Sequence, residues 1–331
     1  MDKILVIGSN AFSGATFIQC ALMNGFQVIG VSRSVEAHSV FLPYRWLDSK
    51  TLTQYQYHQV DLNKDLNLLM QLIHKNKPDY VVNFAAQSMV AESWLHPEDW
   101  MMTNVVSTIK FHDQLRKCDF LKKYVHISTP EVYGSCQGLV SPMAPYNPST
   151  PYAVSRAASD MWLTALHKNY QFPVVFTRAA NVYGPGQQLY RIIPKTILNI
   201  KTKKKLPLHG GGYSIRSFIH IQDVAEGTLK VLLNANPGEI YHFSTKKNIS
   251  IRNIVRLICR YMHVDFSEVT DVAKERPGKD AAYLLDSQTS YEKLAWKDNI
   301  NLEKGIHQTI EWIERNFNTL KSMPLNYIHK A

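Results

Sequence analysis

The sequence has few cysteines and no run that is long and apolar enough to cross a bilayer. Its four cysteines, Cys20, Cys118, Cys136 and Cys259, are scattered and form neither a CxxC pair nor a metal-ligand spacing. This distribution argues against a disulfide framework and a metal module and favours reduced thiols. The first three residues lead directly into an apolar run rather than into a signal-peptide pattern. We therefore expect a cytoplasmic protein with no membrane partner and no bound metal.

Low-complexity tracts and internal repeats are also lacking. Hydrophobic residues make up 45% and charged residues 19% of the 331 residues, as in ordinary globular proteins. The formal net charge of +10 suits a nucleic-acid binder or an enzyme that acts on anions, and the charge alone does not choose between them. Apart from the run 201–205, the positive charges are spread along the chain. We expect small anionic substrates such as nucleotide diphosphates, and no nucleic-acid partner.

The first half of the chain alternates short β-branched runs with longer helical patterns. The strand-like runs are ILVIGS, FQVIGVS, YHQVDL, YVVNFAA, KYVHIST and PVVFTRAANVYG. Residues 104–117 and 152–170 are amphipathic and long enough to form crossover helices. This alternation predicts an α/β fold with a Rossmann-type, doubly wound parallel sheet, whose strands all end at one edge.

After residue 184 the pattern becomes mixed, with proline and glycine punctuation and a further strand–helix pair at 217–233. We predict a dinucleotide-binding Rossmann domain over residues 1–178, to which residues 215–243 return. Most of residues 179–331 would then form a smaller, interleaved C-terminal lobe.

A turn of small residues follows the first predicted strand, with Gly8, Ala11 and Gly14 at every third position. Gly8 permits the tight turn, Ala11 lets the backbone approach a pyrophosphate, and Gly14 lets the helix pack closely on the strand. We predict that a dinucleotide lies on the N-terminus of the following helix. The residues predicted to hold it here are Gly8, Asn10, Ala11, Phe12, Ser13 and Gly14.

The end of the second predicted strand lacks the acid with which NAD enzymes typically hold the ribose diol. Ser32, Arg33 and Ser34 stand there instead, and a guanidinium grips a phosphate through two parallel bonds. Arg33 therefore favours NADP, with a solvated arginine at a strand end as the alternative reading. Further cofactor contacts, or simple loop packing, are predicted after strands three and four at Asp61, Leu62, Phe84, Ala85 and Ala86.

The fifth predicted strand is followed by Thr129 and Glu131, and the next helical pattern carries Tyr152 and Arg156 four residues apart on one face. A phenol acts as a base near neutral pH only if its pKa falls well below about 10, and a neighbouring cation lowers it. Arg156 is placed to supply that cation. In isolation the pair would be an aromatic at a helix start and a surface charge, but the glycine turn and the strand-five segment favour an active site.

Together these motifs resemble extended short-chain dehydrogenase/reductases of the nucleotide-sugar type, most closely the 4,6-dehydratases of dTDP-glucose and GDP-mannose. Residues 128–134 read STPEVYG where the dTDP-glucose enzymes carry STDEVYG, whereas residues 83–91 and 32–34 are more similar to the GDP-mannose enzymes, which use NADP. The segments that resemble the substrate lobe of the dTDP-glucose branch are 181–187, 191–194, 216–224 and 276–280.

The resemblance implies a lyase with a tightly bound, recycled NAD(P)+ and a nucleotide diphosphate hexose as substrate. Tyr152 would accept the C4 hydroxyl proton with help from Thr129, Glu131 would remove the C5 proton, and Arg156 would hold the nicotinamide ribose. Asn104, counted with the cofactor residues, would support the catalytic helix or serve in packing. The residues implied for the substrate are Gln87, Ser88, Glu131, Asn181, Arg191, Arg216 and Arg276. A homodimer through the helices at 104–117 and 152–170 is implied as well.

Two positions depart from the pattern of these families. Pro130 replaces an aspartate that protonates the departing C6 hydroxyl in dTDP-glucose enzymes, and proline donates no proton. Either Glu131 does both tasks or a water helps, as the GDP-mannose enzymes lack that aspartate too. Arg156 replaces the usual lysine and is bulkier and permanently charged. A C4 epimerase, a uronic-acid decarboxylase and a non-catalytic cofactor sensor therefore stay open.

Overall fold

The computed structural model describes residues 1–136, 138–274 and 284–330. Within these ranges the strands, in chain order, are β1 (Lys3–Ile7), β2 (Gln27–Ser32), β3 (Tyr55–Gln59), β4 (Tyr80–Asn83), β5 (Lys123–Ile127), β6 (Leu139–Val140), β7 (Val174–Ala179), β8 (Asn181–Tyr183), β9 (Leu206–His209), β10 (Ile215–His220), β11 (Ile240–Phe243), β12 (Asn248–Ser250), β13 (Thr270–Ala273) and β14 (Leu284–Leu285). The helices are α1 (Phe12–Met23), α2 (Ser49–Leu52), α3 (Leu66–Asn76), α4 (Pro97–Met101), α5 (Thr108–Leu115), α6 (Pro151–Tyr170), α7 (Ile192–Lys201), α8 (Ile221–Asn234), α9 (Ile251–Tyr261), α10 (Phe266–Val269), α11 (Gln288–Leu294), α12 (Leu302–Arg315) and α13 (Phe317–Leu320).

A seven-stranded parallel sheet in the order β11-β7-β5-β4-β1-β2-β3 forms the centre of the fold. Each of the six predicted strand runs contributes a strand to it, and β11 adds the seventh. The strand order reverses between β1 and β4, and ligands of open α/β sheets bind at such a point, beyond the carboxyl ends of the strands. The predicted Rossmann-type fold is confirmed.

Apolar residues of β1 alternate between the two faces of this sheet, because successive strand side chains point in opposite directions. Ile4 and Val6 belong to the core beneath α1 and α8, together with Phe17 of α1. Leu5 and Ile7 belong to the opposite core. Helices therefore cover both faces of the sheet, which explains why its strands read as nearly continuous hydrophobic runs.

The helical run predicted at 104–117 begins earlier, at Pro97, and is not uniform. A π-helical segment, Met102–Ser107, separates α4 from α5. Such segments are rare and occur often at functional sites. The run predicted at 152–170 is α6, where Pro151 occupies the first turn and the Thr150 hydroxyl accepts a bond from Ala153 N at 3.2 Å.

A smaller lobe packs α7, α9 and α12 around a separate core. Residues 215–243 serve both parts: β10 pairs with β8 and β12, whereas α8 packs on α1 and β11 joins the main sheet. The division near residue 178 stays a prediction. In the part of the chain that the structure describes, none of the helices combines the length and the apolarity needed to span a membrane.

Candidate active site

The turn after β1 lies tightly against its surroundings. A Cβ on Gly8, whose φ is +85°, would lie 2.6 Å from Ala85 N, and a Cβ on Gly14 would lie 2.3 Å from Gly8 O. Only glycine fits at both positions. No side chain caps the first turn of α1, whose N-cap residue is Ala11. The backbone N–H groups there are therefore available to an anion such as a pyrophosphate.

A cavity of about 620 Å³ lies beyond the carboxyl ends of β1, β2, β3 and β4. Its volume is in the range of small-molecule and cofactor sites. The sequence-predicted residues that line it are Gly8, Asn10, Ala11, Ser32, Arg33, Asp61, Leu62, Phe84, Ala85, Ala86 and Gln87. This arrangement fits a dinucleotide that runs from the β2 end across the glycine turn.

The corner of the cavity at the end of β2 contains hydrogen bonds and an acidic residue that the sequence did not predict. Asn10 N donates to Ser32 Oγ at 3.2 Å, and Arg33 Nη2 donates to Lys330 O at 3.0 Å. Glu36 also lines the cavity and pairs with Arg45 at 2.6 Å. Sequence reasoning missed Glu36, because it stands four residues beyond the strand end where an acid was sought.

Several predicted cofactor residues lie outside the cavity lining. Phe12 and Gly14 are buried at the start of α1, next to Ser13. Asn104 is fully buried and does not line the cavity. Its side chain accepts a hydrogen bond from Gln87 N and donates to Gln87 O and Ser155 Oγ, each at 2.9 Å. These contacts fit the support of α6 implied for Asn104, and its direct contact with the cofactor stays a prediction.

Asn104 ties the loop after β4 to α6, and this loop holds the next predicted substrate residue. Ser88, one residue beyond Gln87, is exposed and does not line the cavity.

The three residues predicted for proton transfer meet at the carboxyl end of β5. Thr129 is buried and caps the 3₁₀ turn Pro130–Tyr133. Its hydroxyl donates to the Glu131 carboxylate and also hydrogen-bonds with the Tyr152 phenol. Tyr152 reaches this point because α6 begins one residue before it.

The pKa of Tyr152 is raised to about 12. Burial is the largest cause, and the negative charge of Glu131 adds to it; Arg156, Thr129 and Arg191 act in the opposite direction. The expectation that Arg156 brings the phenol well below its usual pKa is therefore not met in the protein alone. Arg191, which precedes α7, belongs electrostatically to the same site.

Arg156 is almost completely buried, and its guanidinium faces β5 rather than the cavity. Nη2 donates to Ile127 O and lies 3.1 Å from His126 Nε2. The longer, forked side chain thus reaches into the sheet for its hydrogen bonds. The implied contact of this residue with the nicotinamide ribose stays a prediction.

A buried charge network supports β5, α6 and β7 below the site. Asp160 Oδ2 accepts from Arg178 Nη2 at 2.9 Å and from Ser128 Oγ at 2.5 Å, and Asp160 Oδ1 lies 3.3 Å from His126 Nε2. Burial acts to raise the pKa of Asp160, but the Arg178 charge and the His126 hydrogen bond outweigh it and hold the pKa well below its usual range. Sequence reasoning missed this network, whose members lie on different elements.

Two further predicted substrate residues, Asn181 and Arg216, lie in the three-stranded sheet of the smaller lobe. Asn181 begins β8 and pairs in register with Phe218, and Arg216 lies on β10 and donates to Ile215 O at 2.7 Å. Arg276 lies outside the described residues.

The family model for GDP-mannose 4,6 dehydratase matches residues 5–309 of this chain. The chain belongs to the GDP-mannose 4,6-dehydratase family. The resemblance inferred from the motifs is confirmed, and the family explains why the glycine turn, the β5 segment and the YxxxR pair occur in one chain.

Relatives of this family member include enzymes and solved structures with the same fold. A dTDP-glucose 4,6-dehydratase from Haemophilus influenzae is 31% identical over 337 residues, which cover 94% of this chain and 98% of the relative. The dTDP-glucose 4,6-dehydratase of Streptomyces venezuelae, solved with NAD bound, is 27% identical with a TM-score of 0.88, covering 96% of this chain and 98% of that chain. A UDP-glucuronic acid 4-epimerase from Bacillus cereus, solved with UDP-glucuronic acid and NAD, is 26% identical with a TM-score of 0.84, covering 95% and 99%.

Proposed function

We propose that this protein is an NAD(P)-dependent nucleotide-sugar 4,6-dehydratase, which converts a nucleotide diphosphate hexose to its 4-keto-6-deoxy form. The reaction oxidises C4, eliminates water across C5 and C6, and returns the hydride to C6 while C5 takes up a proton, which balances the proton lost from the C4 hydroxyl. One observation carries the proposal: at the carboxyl end of β5, the Thr129 hydroxyl contacts both the Glu131 carboxylate and the Tyr152 phenol. A base for C5 beside a base for the C4 hydroxyl is what this sequence of steps requires. The dehydratases among the relatives support it.

The cavity fits the cofactor on physical grounds. The pyrophosphate of the dinucleotide would lie on the uncapped N-terminus of α1, against Gly8. The adenosine ribose of the dinucleotide would lie near Ser32 and Arg33. Arg33 supports NADP as the preferred form. When bound, NAD(P)+ supplies the hydride acceptor and a positively charged ring. We propose that it stays bound through the cycle.

Tyr152 would accept the proton of the C4 hydroxyl as a phenolate, with Thr129 bonded to the same oxygen. In the protein alone its pKa is about 12, so the phenol is protonated near neutral pH. Arg156 and Arg191 already lower this pKa, and a further positive charge in the site would lower it again.

Glu131 would remove the C5 proton once C4 is a ketone. Pro130 has no proton to give, so the same Glu131 carboxyl would pass that proton to the C6 hydroxyl, which leaves as water. The proton lost from C5 thus balances the proton gained by the leaving group.

Binding of the nucleotide diphosphate is proposed for Gln87, Asn181, Arg191 and Arg216, with Arg276 and Ser88 as further candidates. A cytoplasmic location is proposed as well, and the four free cysteines support it.

A homodimer is proposed through α5 and α6 with the π-helical segment between α4 and α5. Apolar side chains are exposed on these elements: Met102 is 47%, Val106 38%, Val154 41% and Met161 62% exposed. Exposed apolar side chains on helices that pack together are typical of an interaction surface.

The proposed function is tested with a panel of dTDP-, GDP-, UDP- and CDP-hexoses in the presence of NAD+ or NADP+. We expect one class to give a 4-keto-6-deoxy product, detected by mass spectrometry. Dinucleotide binding without any turnover across the panel would contradict the dehydratase proposal and would favour a cofactor sensor.

A nucleotide-linked uronic acid is the second candidate substrate. Arg191 lies close enough to the site to shift the pKa of Tyr152, and a sugar carboxylate would need such a cation. Epimerisation at C4 or loss of CO₂ would follow from the same Tyr152 chemistry. UDP-glucuronic acid belongs in the panel for this reason: a pentose or an epimer as sole product would replace the dehydratase proposal.

A further inference from the structure

The segment that follows α13, residues 324–330, crosses from the smaller lobe to the edge of the main sheet, and we name it the strap. At its start Lys195 Nζ of α7 donates to Asn326 Oδ1 at 3.3 Å. The ring of Tyr327 packs edge-on against Tyr190, with 5.4 Å between ring centroids. These contacts attach one end of the strap to the smaller lobe.

His329 attaches the strap to α4 and the residue before it. Its ring stacks on His96, with centroids 4.9 Å apart and planes 3° apart, and on Trp100, at 5.2 Å and 12°. Its Nε2 lies 2.6 Å from Asp99 Oδ2, and both side chains are largely buried. Stacking and a short polar contact at one residue define its position more closely than either would alone.

Lys330 contacts residues that line the cofactor cavity. Its carbonyl oxygen accepts from Gln87 Nε2 at 2.6 Å and from Arg33 Nη2 at 3.0 Å, and its Nζ lies 3.5 Å from Ser34 Oγ. Tyr327, Ile328 and Lys330 themselves line the cavity. The strap therefore borders the space assigned to the dinucleotide.

Tyr327 lines the cavity and packs against Tyr190, which directly precedes Arg191. Burial raises the pKa of Tyr327, while Arg33 at the β2 corner and Arg191 near Tyr152 both act to lower it. The hydroxyl is thus within electrostatic reach of the cofactor end and of the substrate end of the cleft.

We propose that the strap is part of the dinucleotide-binding site: it forms the outer wall of the cavity and slows release of the bound cofactor. This inference rests on the proposed use of NAD(P)+. With the strap in place the cavity still measures about 620 Å³, which suits a dinucleotide-sized ligand. The strap consequently encloses the ligand rather than replacing it, and the cofactor leaves only after the strap has moved.

The strap also completes a cationic corner at the end of β2. The Lys330 ammonium lies beside the Ser34 hydroxyl. The Arg33 guanidinium donates to the backbone oxygen of Lys330. Two cations and two serine hydroxyls match the charge and the acceptor oxygens of a ribose 2′-phosphate. We expect Lys330 to add to the proposed preference for NADP, while Arg45 neutralises Glu36 in the same corner.

The test measures dinucleotide release, independently of turnover. Bound NADPH or NADH is displaced by excess NADP+ or NAD+, and the release rate is followed by fluorescence. In a variant carrying Tyr327→Gly, Ile328→Ser, His329→Gly and Lys330→Ser, we expect release to be about tenfold faster, because changes in contacts act mainly on dissociation rates. Lys330→Ala alone should reduce the ratio of NADP to NAD affinity.

His329→Ala is a milder variant that tests the wall if the fourfold variant fails to fold, and it should also speed release. His307→Ala is its matched control, since the His307 ring packs against Tyr261, with centroids 4.1 Å apart, and does not line the cavity. The release rate of this variant should equal that of the wild type. Unchanged or slower release from the strap variants would overturn the proposal. A wild-type protein that binds neither dinucleotide would instead overturn the proposed function.

Discussion

Glu131 separates the dehydratase from a C4 epimerase, because C4 epimerisation needs no base at C5. Glu131→Gln keeps the size of the side chain but removes the base. We expect the formation of the 4-keto-6-deoxy product to fall by about 10² to 10⁴-fold, the usual contribution of a positioned proton-transfer group. Rates are measured with the substrate found in the panel. Glu226→Gln, an exposed change on α8, is the control, and near-wild-type turnover in Glu131→Gln would point to an epimerase.

The pKa of the Tyr152 side chain gives a second prediction about a single residue. Burial and Glu131 raise its pKa to about 12, so removal of the Glu131 charge should lower that pKa towards its ordinary value. The tyrosinate absorbance of the cofactor-free protein is titrated for the wild type and for Glu131→Gln. Tyr152→Phe identifies the signal. The same titration curve for both proteins would contradict the electrostatic contact.

Residue identities predicted much of the site, but not where long side chains point. Gly8, Thr129 and Tyr152 could be placed from the sequence because each stands at a strand end or a helix start, where the backbone decides the position. Arg156 could not: its guanidinium could face the cavity or the sheet, and the partners that decide, His126 and Ile127, are identified only by the fold.

The turns before and after α1 offer a matched pair of glycines. Gly8 and Gly25 have φ of +85° and +81°, but a Cβ has no neighbour within 4 Å at Gly25 and clashes with Ala85 at Gly8. Gly25→Ala should lower the free energy of unfolding by about 1–2 kcal/mol and leave dinucleotide affinity unchanged.

Gly8→Ala carries the same backbone strain and also separates the turn from β4. We expect the dinucleotide Kd to rise by about tenfold or more, since the displaced backbone loses contacts with the ligand. Both variants are measured by chemical unfolding and by titration with NADPH. Equal Kd values for Gly8→Ala and the wild type would show that the turn does not hold the cofactor.

Helix α6 is joined to β5 and β7 by Asp160. Asp160→Asn would leave Arg178 buried without its counter-charge, and we expect the free energy of unfolding to fall by about 3–5 kcal/mol. Asp113→Asn is the control: Asp113 is 45% exposed and pairs with Arg116 and Lys117, so we expect a much smaller loss, because water screens exposed ion pairs. Similar losses for the two variants in urea unfolding would contradict a buried network.

Periodicity identified the strands and the main helices because burial on one or both faces leaves a clear pattern. The π-helical segment Met102–Ser107 has no such sequence pattern, because one extra residue in a helical turn requires no particular residue type. Its position is fixed by tertiary contacts, among them those of Asn104 with Gln87 and Ser155.

For the whole molecule, the predicted dimer can be tested with two methionines of similar exposure. Met161 on α6 is 62% exposed and Met23 on α1 is 65% exposed. If α6 forms the interface, Met161→Glu places a charge in it and should give monomers, whereas Met23→Glu should not. Sedimentation velocity measures both. A monomeric wild type, or a dimer that survives Met161→Glu, would contradict this interface.

The contacts of the strap could not be predicted from the sequence. Its contacts join Lys330 to Arg33 and to Gln87, 297 and 243 residues away along the chain. No local pattern marks such a contact, whereas the glycine turn lies within a few residues of the strand and helix that it joins. The resemblance to known families covered motifs, and the strap contains none of them.

The return of residues 221–243 to the main sheet limits how the cleft can open. The backbone passes between the two lobes after β7, again before α8 and again after β11, so the lobes are connected by several covalent crossings rather than by one hinge. Rigid rotation of one lobe would have to strain all of these crossings together. Opening of the cleft by rotation of one lobe would therefore need coordinated backbone changes at every crossing, whereas movement of a local segment such as the strap needs none of them.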